Sequence, residues 1–135
     1  VYKRQVYMSH PGAAEGYGQY VVDNLSKEVK PQYLIFAEKA KQWGADGVIV
    51  GATAPEKIAD VAKIVNDIPI ISPGVGIQGG SIEKALAAGS NYLIVGRNII
   101  ESEYPNKVVD EFNKKINNIL RGSWTTINNY HMKIF

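Results

Sequence analysis

Short, unbroken apolar runs alternate along this chain with longer stretches in which apolar residues recur every three or four positions. The runs are Val6-Tyr7-Met8, Gly47-Val48-Ile49-Val50-Gly51, Pro69-Ile70-Ile71 and Tyr92-Leu93-Ile94-Val95. Their length and bounding glycines predict strands buried on both faces, as in a parallel sheet, with the first run being the end of its strand. Pro31 opens a helix whose apolar stripe is Tyr33, Leu34, Phe36, Ala37, Ala40 and Trp43, and Gly44 stops it. A second helix starts at Thr53-Ala54-Pro55-Glu56 and buries Ile58, Val61, Ala62, Ile64 and Val65. Ser81 caps a third that runs to about Ala88 and ends at Gly89. A last amphipathic helix spans 105–120 through Val108, Val109, Phe112, Ile116, Ile119 and Leu120. Residues 13–30 are more ambiguous. Val21, Val22, Leu25 and Val29 recur at helical spacing and predict a helix over about 18–28.

Strand and helix therefore alternate four times, which predicts an α/β domain over residues 1–120 with a parallel sheet and right-handed crossovers. Residues 121–135 break the rhythm and stay unassigned: a β-hairpin, a disordered tail or a non-native extension. The chain opens at Val1 rather than Met and runs almost at once into a dense turn, as if beginning inside a fold. Hydrophobic residues make up 45% and charged residues 21%, the balance of a globular protein and not of a disordered one. The formal net charge of +2 is small and evenly spread, which argues against a nucleic-acid partner. No apolar run approaches the roughly 18 residues of a membrane span, so no membrane partner is expected. With no cysteine there is no disulfide framework, thiolate metal site or thiol nucleophile, and a cytoplasmic location fits.

In parallel α/β folds the chemistry gathers where strands end, which selects the loops 9–16, 72–80 and 96–98. The 72–80 loop carries Gly74, Gly76, Gly79 and Gly80 between a strand and a helix start. Glycines let backbone N–H groups approach an anion, and Gln78 adds side-chain donors; the plain alternative is a tight turn. Gly96-Arg97 follows the next strand and belongs beside that loop. Arg97 can fork two hydrogen bonds to phosphate oxygens, or instead pair with Glu101 or Glu103. Both loops together point to phosphate. In Ser9-His10-Pro11-Gly12, His10 reads better as ordering the turn than as a general base, since no acid or nucleophile is placed to relay with it. His10 and His131 are the only histidines, which disfavours a histidine metal site. Asp46 and Asp60 read as solvated charges.

Four segments resemble the orotidine 5′-phosphate decarboxylase family, most closely its archaeal members. They are Met8-Ser9-His10-Pro11-Gly12-Ala13, Val50-Gly51-Ala52-Thr53-Ala54-Pro55-Glu56, Ser72-Pro73-Gly74-Val75-Gly76-Ile77-Gln78-Gly79-Gly80 and Ile94-Val95-Gly96-Arg97-Asn98-Ile99. The likeness covers about residues 6–120. It implies a (β/α)8 TIM barrel that converts orotidine 5′-monophosphate to UMP and CO2 without cofactor or metal, as a homodimer. By that resemblance Ser9 contacts the pyrimidine, and Pro73 and Val75 line the wall near the reacting carboxylate. Gln78, Gly96 and Arg97 grip the phosphate. Gly79 joins this substrate-binding set, and the 72–80 loop closes over ligand.

The family's catalytic charges, an Asp-x-Lys-x-x-Asp run and an earlier Lys, have no counterpart in these 135 residues. Eight βα units need about 200–250 residues. The expectation is a partial barrel of about four βα units, strands five to eight, without catalytic residues of its own. Such a half-barrel is expected to self-associate and to expose Val48, Val50, Ile70, Leu93 and Val95 toward the missing strands. Two alternatives stay open: another phosphate-binding barrel of hexulose-phosphate synthase or isomerase type, and a non-catalytic nucleotide-binding half-barrel.

Overall fold

A computed structural model describes residues 1–122. The elements are β1 (Lys3–Tyr7), α1 (Ala13–Gly16), β2 (Tyr20–Val22), β3 (Val29–Pro31), α2 (Gln32–Gln42), β4 (Gly47–Val50), α3 (Pro55–Val65), β5 (Ile70–Pro73), α4 (Ile82–Ala87), β6 (Tyr92–Ile94), α5 (Arg97–Ile100) and α6 (Pro105–Gly122). Arg121 and Gly122 close the last helix. The remainder of the 121–135 tail lies outside the described residues.

Strands β1, β4, β5 and β6 form one parallel sheet in that order. The register sets Gln5 beside Ile49, Ile49 beside Ile71 and Ile71 beside Tyr92, one row across the sheet. The neighbouring row is Arg4, Val48 and Ile70. Side chains alternate between the two faces, so these rows point to opposite sides. Helices cover the second face. Val48, Val50, Ile70, Leu93 and Val95 are all buried there, in one core with Ile58, Val61 and Val65 of α3, Ile82 and Ala85 of α4 and Ile116 of α6. The expectation that these five side chains stand exposed is therefore wrong. The half-open face is the other one, carrying Gln5, Ile49, Ile71, Tyr92 and Ile94, all of intermediate burial. An uninterrupted apolar run says that both faces are covered in a complete fold, but not which row meets the helices.

The expected helix over 18–28 is also wrong. Residues 20–31 make an antiparallel hairpin that pairs Tyr20 with Pro31 and Val22 with Val29. Asp23 fixes its turn: its carboxylate accepts from the Leu25 N–H and the Ser26 hydroxyl, and Lys27 takes a φ of +61°. Those hydrogen bonds also lower the Asp23 pKa, the one from Leu25 most. The helical spacing misled because Val22, Leu25 and Val29 are solvent-exposed and no buried helix stripe exists. β-branched residues on either side of an Asx turn favour the hairpin.

Elsewhere the local signals held. Pro31 precedes α2, and Gly44 takes a φ of +65° just past its end. Pro55 occupies the first turn of α3. The Ser81 hydroxyl accepts from the Lys84 N–H at 3.2 Å and caps α4. Asp46 accepts from the Tyr2 N–H at the exposed end of the sheet. Asp60 is not simply a solvated charge, since it accepts the phenol proton of buried Tyr33 at 2.9 Å.

Candidate functional site

The parallel strands bring the loops after β1, β4, β5 and β6 to one end of the sheet. Three glycines set how closely these loops approach. A Cβ on Gly51 would lie 2.6 Å from Ser9 Cα, and one on Gly74 would lie 2.6 Å from Ser9 Cβ. One on Gly80 would lie 2.5 Å from the Gly74 carbonyl oxygen. Ser9 is thus wedged between two loops at a spacing that any side chain there would break. The Thr53 hydroxyl adds a bond to the Ser9 carbonyl at 2.9 Å. The same Gly74 position faces Gln78, whose Oε1 would be 2.6 Å from an added Cβ. Ser9 and Gln78 therefore converge on one glycine.

The 74–80 loop is closed upon itself. The N–H groups of Gly76, Gly79 and Gly80 donate to the carbonyls of Gly80, Gly76 and Gly74 respectively. Gly74, Gly76 and Gly79 take φ values of +94°, +77° and +87°, a region that side chains disfavour. The glycines thus build a tight loop in which the N–H groups of Gly76, Gly79 and Gly80 are occupied. The side chains of Gln78 and Arg97, both exposed, carry further hydrogen-bond donors.

A cleft of about 200 Å³ lies between this loop and the segment after β6. Pro73, Val75, Gln78, Gly96 and Arg97 all line it, with Gly74, Ile77, Ile94 and Asn98. Five of the seven site residues expected from sequence thus share one cleft. Ser9 reaches its edge through Gly74, and Gly79 stands at the loop tip with open space around its Cα. Among the described residues no ion pair joins Arg97 to Glu101 or Glu103. The His10 carbonyl accepts from the Ala13 N–H at 3.0 Å, and its ring lies beside Gly12.

Sequence reasoning placed Gly51 at a strand end, Thr53 at a helix start and Asn98 in the 96–98 loop, but gave none of them a role at the site. Asn98 Oδ1 accepts from the Ile77 N–H at 3.3 Å and crowds Gly76. Its only signal in the sequence is adjacency to Arg97. Behind the loop, α4 and α6 are joined by the pair between Glu83 and Lys115 at 3.1 Å. The Glu83 carboxyl is held down to about 2, first by its own backbone N–H, then by the Ser81 hydroxyl and Lys115. Among the described residues, no group of three or more His, Asp or Glu side chains is placed to hold a metal ion. None of the described helices is long and apolar enough to cross a membrane.

Residues 6–112 match the model of the family described as orotidine 5′-phosphate decarboxylase / HUMPS. An orotidine 5′-phosphate decarboxylase from Methanococcoides burtonii is 40% identical over 111 residues, covering 78% of this chain and 46% of the relative. One from Methanosarcina mazei is 38% identical over 116 residues, covering 85% and 47%. Among solved structures, the orotidine 5′-monophosphate decarboxylase of Methanocaldococcus jannaschii, complexed with the inhibitor BMP, superposes with a TM-score of 0.70. It is 32% identical, with 85% of this chain and 49% of that one covered. The chain spans about half the length of the curated relatives it matches. By sequence and by fold, it belongs to the orotidine 5′-phosphate decarboxylase / HUMPS family.

Proposed function

We propose that this chain forms the phosphate- and pyrimidine-binding half of an orotidine 5′-monophosphate decarboxylase, an enzyme of UMP biosynthesis. In this reading β1, β4, β5 and β6 are strands five to eight of a (β/α)8 barrel. Gln78, Gly96 and Arg97 bind the phosphate, and Gly79 belongs to the substrate-binding loop. Ser9 meets the pyrimidine, and Pro73 and Val75 wall the space near its carboxylate. The observation that carries the reading is the shared cleft, lined by both Gln78 and Arg97, with Ser9 and Gln78 converging on Gly74.

Decarboxylation breaks the bond between the pyrimidine ring and its carboxylate and leaves an electron pair on the ring that must take a proton. That step needs fixed charges at the reacting carbon, and electrostatic preorganisation is usually the largest catalytic contribution. The Asp-x-Lys-x-x-Asp run that supplies such charges in the family is absent from the sequence. On this reading the chain by itself binds without turning over, takes no cofactor and works in the cytoplasm. A second reading is a non-catalytic half-barrel that binds nucleotides.

Calorimetry with UMP, uridine and inorganic phosphate tests the binding role. UMP and phosphate bind, and uridine binds more weakly than UMP. Equal affinity for UMP and uridine would overturn the phosphate assignment. Loss of the orotidine 5′-monophosphate absorbance with the purified chain would overturn its inactivity. Turnover that appears only on adding a partner bearing the missing charges would reject the second reading.

A further inference from the structure

We propose that Arg4, stacked on Phe36 and Trp43 at the outer edge of the sheet, is the docking point for an acidic helix. That helix accompanies a strand added beside β1 and sets an Asp or Glu carboxylate on the Arg4 guanidinium. The proposal rests on the reading of β1 as the fifth strand of a barrel and adds to it the charge that the neighbouring helix carries.

Arg4 lies in one row with Val48 and Ile70, the row that points to the helix-covered face. Its guanidinium carbon sits 5.1 Å from the centre of the Phe36 ring and 5.2 Å from that of Trp43. The ring faces attract the cation but offer no oxygen to its N–H groups. Among the described residues no carboxylate pairs with Arg4. Its Nε is the one buried side-chain nitrogen or oxygen among them that lacks a hydrogen-bond partner. Such an atom is uncommon in a completed fold, because it loses water and gains no acceptor in exchange.

Topology says what belongs beside it. In the sheet β1 has a neighbour, β4, on one side only. A further parallel strand on the free side extends the order β1-β4-β5-β6. A right-handed crossover then puts the helix of that strand on the face to which Arg4 points, against the flank of α2. The curated relatives are about twice the length of this chain, so their fold contains strands and helices beyond those seen here.

The flank of α2 is both apolar and cationic. Trp43 is 52% exposed, and Lys39 Nζ lies 5.9 Å from the centre of its ring. Phe36 and Lys39 also line a groove of about 210 Å³ between α2 and the hairpin, with Val22 and Leu25. Asp23 borders that groove, but its carboxylate is engaged in the hairpin turn. Neither Arg4 nor Lys39 has an ion pair among the described residues. A basic helix would be repelled here, and a wholly apolar one would bury the Arg4 charge unpaired. A carboxylate satisfies the guanidinium fork while the rings keep its plane.

The probe is a synthetic strand–loop–helix polypeptide whose amphipathic helix is bordered by Glu, compared with a twin carrying Gln at each Glu. Both are titrated into the full chain as wild type, Arg4→Met and Arg4→Lys. The readouts are affinity, the Nε–H resonance of Arg4 and hydrogen exchange at the β1 amides. Wild type binds the Glu polypeptide about tenfold more tightly than its twin, and exchange slows at the Arg4 Nε–H and at β1. Arg4→Met, which keeps an apolar stem between the rings, binds the two polypeptides alike. Arg4→Lys falls between, since an ammonium lacks the fork. Salt weakens the wild-type complex with the Glu polypeptide more than the others. Equal affinity of wild type for both polypeptides overturns the proposal, and so does a Glu preference that survives in Arg4→Met. Binding of neither polypeptide also overturns it; if Arg4→Met then dissociates the chain's own oligomer in sedimentation, the surface belongs to a second copy. A slowed Arg4 Nε–H with unchanged exchange at β1 upholds the carboxylate contact and overturns the added strand, so the barrel reading fails separately.

Discussion

Ser9 and Gly74 approach so closely that a methyl group on Gly74 would lie 2.6 Å from Ser9 Cβ. Gly74 also holds a φ of +94°. Gly74→Ala thus meets a steric and a conformational penalty together. The expected loss of stability is about 1–3 kcal/mol, the scale of one strained backbone position. UMP affinity should fall as well, since Ser9 and Gln78 both face this point. Thermal melts and UMP titration of the variant check it, and a variant with wild-type affinity would show that Ser9 and Gln78 need not converge there.

Arg97 is exposed, lines the cleft and has no ion pair with Glu101 or Glu103 among the described residues. Arg97→Ala should weaken UMP binding by about 2–3 kcal/mol, the loss of a charge-assisted contact. Uridine should bind the variant and the wild type alike. Equal losses for both ligands would make Arg97 structural.

The parts of this fold that sequence revealed are those with local chemical causes. Pro31, Pro55 and Ser81 mark helix starts because each either lacks an N–H that a first turn cannot use or supplies an acceptor to one. Gly44 marks a helix end because it accepts a positive φ. The 20–31 hairpin escaped notice because its outward valines and Leu25 repeat at a spacing that also suits a helix. The local signals that favour the hairpin, the β-branched residues and the Asp23 turn, are outweighed by that spacing when periodicity alone is read. The assignment of sheet faces failed for a different reason. Val48 and Ile49 are equally apolar, and the helix layer's contacts from α3, α4 and α6 decide which of them is buried. At the site, motif and glycine content located the loops correctly. They did not reveal that the N–H groups of Gly76, Gly79 and Gly80 are spent inside the loop, nor that Asn98 reaches across to Ile77.

Tyr33 is buried between elements, edge-on to Tyr7 at 5.7 Å and hydrogen-bonded to Asp60 at 2.9 Å. Tyr33→Phe keeps the ring packing and removes the bond, so it should cost about 0.5–1.5 kcal/mol in chemical denaturation. Tyr33→Ala should cost about 3–5 kcal/mol, the range for emptying an aromatic core site. Burial first, then the Asp60 carboxylate, raise the phenol pKa. Its contribution to stability is therefore complete below the unfolded value of about 10 and is lost as pH rises beyond it. A Phe variant with unchanged stability would mean that the Asp60 bond contributes nothing.

Glu83 bears on the acid side. Its carboxyl titrates near 2 in the folded chain, held down by its own N–H, the Ser81 hydroxyl and Lys115. The unfolded value is about 4.3. A depressed folded pKa means that the stabilisation is complete above the unfolded value and is lost as pH falls from there toward 2. Glu83→Gln should lower the melting temperature at pH 7 and make the profile between pH 5 and pH 3 shallower. Salt should shrink the difference, because Glu83 and Lys115 are solvent-exposed. A variant whose melting temperature tracks the wild type across that range would remove the Glu83–Lys115 link between α4 and α6 from the stability account.

The open face of the sheet supports a last prediction. β1 and β6 are its edges, and Ile49, Ile71 and Ile94 are half-buried on the face away from the core helices. In a closed barrel that face is interior and no edge exists. Apolar surface of this kind is rarely left to water, and unpaired parallel strands are templates for further pairing. The isolated chain should therefore sediment as a species larger than one 135-residue chain and bind a dye for exposed apolar surface. Ile71→Lys places a charge at the centre of the row formed by Ile49, Ile71 and Tyr92. It should lower both the association and the dye signal while the helix-side core, which it does not touch, still melts cooperatively. Val48→Lys, on the covered face, should instead unfold the chain. A sharp wild-type monomer that binds no dye would mean that this face is already covered, and the half-barrel reading would fail with it.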